Sequence, residues 1–100
     1  GTREGGELVR RKDSAHEQAE AEAQRLVSTY ADMILRLSYT YLHSTADAED
    51  ICQTVLLRLL VDAPAFNGLE HERAWVIRTT INASKVSAAI KILLAAYFLI

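Results

Sequence analysis

Residues 46–60 read ADAEDICQTVLLRLL, an acidic cluster opening an apolar run, and residues 74–85 read AWVIRTTINASK, a run with one Trp, two cations and one Asn. In the first stretch Ala48, Ile51, Val55 and Leu59 recur at three- and four-residue steps, and Cys52, Leu56 and Leu60 widen the stripe. That period puts the apolar groups on one face of a helix. The spacing predicts a helix over 47–61, with Ser44 and Thr45 breaking the element before it and capping its start. In the second stretch Ala74, Ile77 and Ile81 form the expected buried face. Trp75, Arg78, Asn82 and Lys85 step by three, four and three, which places them together on a neighbouring side.

Upstream, Leu26, Tyr30, Ile34, Leu37 and Tyr41 predict a helix over 19–43 with these residues on its inner face. Residues 62–69 hold the only proline, Pro64, and the turn pair Asn67 and Gly68, so a loop is expected there, with the third helix starting near Glu70. Residues 1–6 read as a flexible end. Residues 7–24 are rich in Glu, Ala and Arg but poor in large apolar groups, and can bury little. Helical patterning continues to Ile100, but residues 86–100 carry a single charge, Lys91. Fifteen residues fall short of the roughly 20 needed to cross a bilayer. No membrane role is therefore expected, and the run is expected to pack on the bundle or pair with a second copy. The expected organisation is a polar leader, flexible or helical, over 1–24, a helical domain over 25–86 and an apolar helix or tail over 87–100. The fold class is all-α, a small bundle of three to four helices.

Composition narrows the function. One hundred residues, half of them apolar, allow one domain with one core. A net charge of −2 does not suit a protein that coats DNA, so any nucleic-acid contact has to be local or assisted by a larger partner. Cys52 is the lone cysteine; it excludes an internal disulfide and fits a reducing cytoplasm. The polar, charged start does not read as a signal peptide. His16, His43 and His71 are scattered, without a second ligand at metal spacing. Cys52 lies on an apolar stripe with no activating base, and there is no Gly-rich phosphate loop. No catalytic residue, metal or cofactor is expected.

Two readings stand for each charged feature. Asp47, Glu49 and Asp50 in a first helical turn interact favourably with the macrodipole and free amides. Alternatively Asp50 and Gln53, three apart and so surface neighbours, meet cations on a protein partner with Glu49 nearby. Trp75 is either a core anchor or, beside Arg78, Asn82 and Lys85, part of a platform for unstacked bases and phosphates. Glu70 and Glu72 offset much of the positive charge of Arg73, Arg78 and Lys85 along this stretch.

Residues 26–85 resemble region 2 of the extracytoplasmic-function (ECF) sigma factors of bacteria. YADMILRLSYTYL at 30–42 is similar to the first helix of that family. DAEDICQTVLLRLL at 47–60 is similar to its D-A-E-D-x-x-Q block, and PAFNGLEHERAWVIRTTINASK at 64–85 to its F-x(n)-W-L-x-R-x-x-x-N block. The three follow in family order over about 60 of the 100 residues. The resemblance implies a non-enzymatic, cytoplasmic domain for transcription initiation. It implies docking on the clamp helices of the RNA polymerase β′ subunit through Asp47, Glu49, Asp50 and Gln53, with Arg58 at the margin. It also implies capture of a flipped base of the promoter −10 element, on the non-template strand, by the loop Phe66, Asn67, Gly68, Leu69 and Glu70. Trp75, Arg78, Asn82 and Lys85 would support promoter contact and strand opening. An anti-sigma factor and a homodimer through the apolar tail are further partners it leaves open; a partner-binding module without promoter activity is the alternative function.

The chain departs from the family pattern at Thr54, where an acid is usual, at Leu56, where Phe is common, and at Val86, where Asp is expected. The family's region 4, which reads the −35 element, has no counterpart among these residues. The sequence thus reads as a fragment, a truncated product or a degenerate member.

Overall fold

The computed structural model describes the backbone of residues 2–100 and the side chains of residues 12–100. Three helices follow one another: α1 over Thr2–Leu42, α2 over Thr45–Val61 and α3 over Leu69–Leu99. Among the described residues there is no strand. α1 runs 41 residues, which at about 1.5 Å per residue makes a rod near 60 Å long. It dominates the 69 × 32 × 21 Å extents of the chain. Its start at Thr2 takes in most of the stretch expected as a flexible end; Gly1 lies outside the described residues. Strong helix formers in 7–24 extend the helix outward from its packed half, because adding a residue to an existing helix avoids the cost of nucleation. Residues 12–22 remain exposed along this arm.

α1 turns into α2 over two residues. His43 adopts a left-handed conformation, φ 52°, and its N–H donates to Tyr39 O at 2.8 Å, closing α1. Ser44 then caps α2: its Oγ accepts from Asp47 N at 3.2 Å, as the sequence predicts. Val27 and Ala23 of α1 line a groove with Leu57 and Leu60 near the far end of α2, and the Cys52 thiol points at Ala31 O. α1 and α2 therefore run antiparallel. α3 turns back along α2, so that Arg58 sits by Trp75 and Asp47 by Lys91.

The core is a stripe from each helix. α1 contributes Leu26, Tyr30, Ile34, Ser38 and Leu42, a strict four-residue step. This corrects the expected inner face at its end: Leu37 is half-buried and Tyr41 exposed, while Ser38 and Leu42 go inside. α2 buries Ala48, Ile51, Cys52, Val55 and Leu59 as expected. Leu56 is half-buried, and Leu60, expected to widen the stripe, is exposed at the edge of the groove it shares with Ala23 and Val27 of α1.

α3 departs furthest. Its buried residues are Glu72, Val76, Thr79, Thr80 and Ser84, whereas the expected Ala74 is exposed and Ile77 and Ile81 are half-buried. Small hydroxyl side chains let the backbones approach closely. Thr80 Oγ1 donates to Val76 O at 2.7 Å, so its hydroxyl is satisfied within the helix and costs little to bury. Ser38 Oγ and Ser84 Oγ are buried without a partner.

Beyond Lys91 the helix leaves the bundle. Ile92, Leu93, Leu94, Tyr97, Phe98 and Leu99 are all exposed. By length and composition α3 contains a window apolar enough to cross a membrane. Its first half, however, supplies Glu72, Thr79, Thr80 and Ser84 to the bundle core.

Ile34 is fully enclosed and Leu57 is 62 % exposed. Ile34→Ala should lower unfolding stability by about 2–5 kcal/mol, and Leu57→Ala by less than about 0.5 kcal/mol, as measured by urea denaturation.

Candidate polymerase and nucleic-acid interface

Among the described residues Glu72 is the one buried carboxylate, and its partners come from α1. Arg25 Nη1 and Nη2 donate to Glu72 Oε1 and Oε2 at 3.1 and 2.9 Å. Tyr30 Oη donates to Glu72 Oε1 at 2.6 Å. The same guanidinium also forks onto Glu22, at 3.0 and 2.9 Å. The Arg25 hydrogen bonds hold the Glu72 carboxyl below its ordinary value, against the opposing effect of burial, with Tyr30 adding to the lowering. Burial, then the hydrogen bond to Glu72, pushes the Tyr30 hydroxyl up to about 12. This junction ties the first turn of α3 to α1. It also changes the charge reading: Glu72 is paired inside, so Arg73, Arg78 and Lys85 on the surface of α3 face only Glu70 among nearby exposed acids of that helix.

The loop before α3 is shaped by one glycine and three rings. Gly68 has φ 120° and ψ 178°, a region essentially reserved for glycine. Asn67 N donates to His71 Nδ1 at 3.0 Å, folding the loop back on the first turn of α3. Phe66 is half-buried against the core and meets His71 edge-on, centroids 5.1 Å apart, and Trp75 at 5.9 Å. Arg58 of α2 stands 5.9 Å from the Trp75 ring centroid, a cation–π distance. Phe66 and Trp75 thus act as anchors that set the loop, and Asn67, Gly68, Leu69 and Glu70 are its exposed members. Farther along α3, Arg78, Asn82 and Lys85 are exposed. Asn82 lines the groove between α2 and α3 with Ile51, Thr54 and Arg58.

On α2 the residues expected to meet a protein partner divide. Glu49, Asp50 and Gln53 are exposed. Asp47 is half-buried, its amide held by Ser44 and its carboxylate paired with Lys91 of α3. Gln53 borders an apolar groove lined by Val27, Leu56, Leu57 and Leu60. Neither Lys91 nor the Arg25–Glu72–Tyr30 junction was singled out by sequence. The signal for Glu72 was its four-residue register with Val76, Thr80 and Ser84; Lys91 left none beyond being the lone charge of the tail.

Among the described residues no group of three or more His, Cys, Asp or Glu is placed to hold a metal. Cys52 is buried and free, and burial pushes its thiol up, away from the reactive thiolate.

The bundle exposes an acidic helix start on α2 and a loop–helix with cations before and along α3. The family model for sigma-70 region 2 matches residues 26–87, and the chain belongs to that family. Region 2 is a transcription-factor domain that serves RNA polymerase binding and promoter recognition. No curated protein and no solved structure matches the chain.

Two measurements check the junction and the loop. Because folding lowers the Glu72 value, its contribution is fully present above the unfolded value near 4.5 and is lost as pH falls through the folded one. Because folding raises Tyr30, its contribution holds below about pH 10 and is lost toward 12. Stability measured across pH should fall in both windows, and Glu72→Gln should flatten the acid limb and cost about 1–3 kcal/mol at neutral pH. Gly68→Ala meets no atom within 4 Å yet should destabilise by about 1–3 kcal/mol through backbone strain alone, read by thermal melting.

Proposed function

We propose that the chain is region 2 of a bacterial ECF sigma factor, which works in the cytoplasm by docking on the β′ clamp helices of RNA polymerase and engaging the promoter −10 element. The observation that carries the docking half is the exposure of Glu49, Asp50 and Gln53 on α2, with Gln53 at the border of the apolar groove of Val27, Leu56, Leu57 and Leu60. An apolar centre with a polar rim is the usual anatomy of a protein interface. The acids would steer and register a basic coiled coil, and the leucines would bury against it.

For DNA, the proposal assigns base capture to the loop at Asn67, Gly68 and Leu69, with Phe66 and Trp75 bracing it from beneath. Arg78, Asn82 and Lys85 would follow the phosphates of the opened non-template strand. Flipping a base costs a few kcal/mol, which loop contacts and backbone charge together return. Pairing of Glu72 with Arg25 supports this half, since it removes a negative charge from the surface that would approach phosphate.

The test is titration of the chain with an isolated β′ clamp-helix fragment. Asp50→Ala and Gln53→Ala should each weaken binding about two- to fivefold, and added salt should weaken the unmodified chain toward the Asp50→Ala level. A folded chain that does not bind the fragment would overturn the docking half.

A second reading is favoured by a separate observation, the exposed apolar end of α3 from Ile92 to Leu99. In it the chain serves as an interaction module that pairs with itself or with an anti-sigma factor. Such a surface marks an interaction site. Light scattering at high concentration decides on self-association: a monomer mass contradicts it.

A further inference from the structure

Lys91 is the single charge of residues 86–100 and lies outside the segment that matches the family. α3 runs unbroken through it and delivers it to the first turn of α2, where its ammonium pairs with the Asp47 carboxylate. Beside this pair Val86 and Ile90 face Ile51 and Thr54 across the groove between α3 and α2. The end of α3 therefore stands against the same first turn that displays Glu49 and Asp50.

We infer that Lys91 is a built-in competitor for the acidic docking face: it occupies Asp47 in the free chain, and a cationic partner has to displace it. This rests on the reading of that face as the polymerase-docking surface. The argument is one of charge exchange. A partner Arg or Lys that reaches Asp47 gains one ion pair and breaks another, so Asp47 contributes little to net affinity while Lys91 is in place. Lys91 also neutralises one of three clustered carboxylates, which weakens the field that would draw in a basic surface. The Lys91 side chain is 49 % exposed and that of Asp47 28 % exposed. Release thus needs only a side-chain swing, with no motion of the helix.

The experiment titrates the full chain with the β′ clamp-helix fragment at low salt, using the unmodified chain, Lys91→Ala, Asp47→Asn and the double variant. Lys12→Ala, on the exposed arm of α1, controls for net charge, and circular dichroism verifies folding. Lys91→Ala should bind about two- to fivefold tighter. The gain should be smaller in the Asp47→Asn background, where no pair is left to displace, and shrink as salt rises. Equal binding by the unmodified chain and Lys91→Ala, while Asp50→Ala still weakens both, overturns the competitor and leaves the docking reading intact. An equal gain from Lys12→Ala also overturns it, because net charge alone would then account for the effect. Failure of every folded variant to bind overturns the docking reading and this inference together.

Discussion

The buried carboxylate of Glu72 is the constraint on which the rest of the arrangement depends. A carboxylate enclosed to this degree, 8 % exposed, has to be matched by donors or it destabilises the fold. Arg25 and Tyr30 supply three hydrogen bonds from α1, at 2.6 to 3.1 Å. They can do so only when the first turn of α3 lies in one register against α1. That register aims Val76, Thr80 and Ser84 inward along the same line. It leaves Arg78, Asn82 and Lys85 outward, and it seats Trp75 beside Phe66 and Arg58. A polar junction thus performs a task that apolar packing does loosely: it selects one angular setting of α3 among several that would bury comparable area.

From that setting two faces follow. One is on α2, where Ser44 starts the helix and the next turns present Glu49, Asp50 and Gln53. The other is the loop and first half of α3. They share a core but expose opposite charge character, so a chain of net charge −2 still carries a locally cationic face. The chain belongs to the sigma-70 region 2 family, which serves both RNA polymerase binding and promoter recognition, and the proposed function gives one face to each task.

Sequence patterning recovers α2 well and α3 poorly, for one physical reason. In α2 the inside is hydrocarbon, so Ala48, Ile51, Val55 and Leu59 announce it, and Ser44 announces its start. In α3 the inside is made, Val76 apart, of Glu72, Thr79, Thr80 and Ser84, groups that a hydropathy period assigns to solvent. Thr80 can be buried because its hydroxyl bonds its own helix, and Glu72 because α1 brings an arginine and a tyrosine to it. Neither condition is visible within α3 itself. At the end of α1 the strict four-residue step from Leu26 places Ser38 and Leu42 inside rather than Leu37 and Tyr41. The loop was legible from Pro64, Asn67 and Gly68; the role of its rings as braces was not, since a sequence does not say which side of Trp75 is covered. The proposed docking residues Glu49, Asp50 and Gln53 were legible as surface from their spacing, whereas the engagement of Asp47 by Lys91, 44 residues away, was not.

The central claim is that one bundle presents two separate faces, an acidic one for protein and a cationic loop–helix for the opened promoter strand. Titrating an isotope-labelled chain with the β′ clamp-helix fragment, and separately with a single-stranded −10 oligonucleotide, tests it by nuclear magnetic resonance. The account predicts disjoint perturbations: resonances of Glu49, Asp50, Gln53 and Leu57 for the first ligand, and of Asn67, Gly68, Arg78 and Lys85 for the second. Overlapping sets, or shifts gathered on the apolar end of α3 with either ligand, would contradict it.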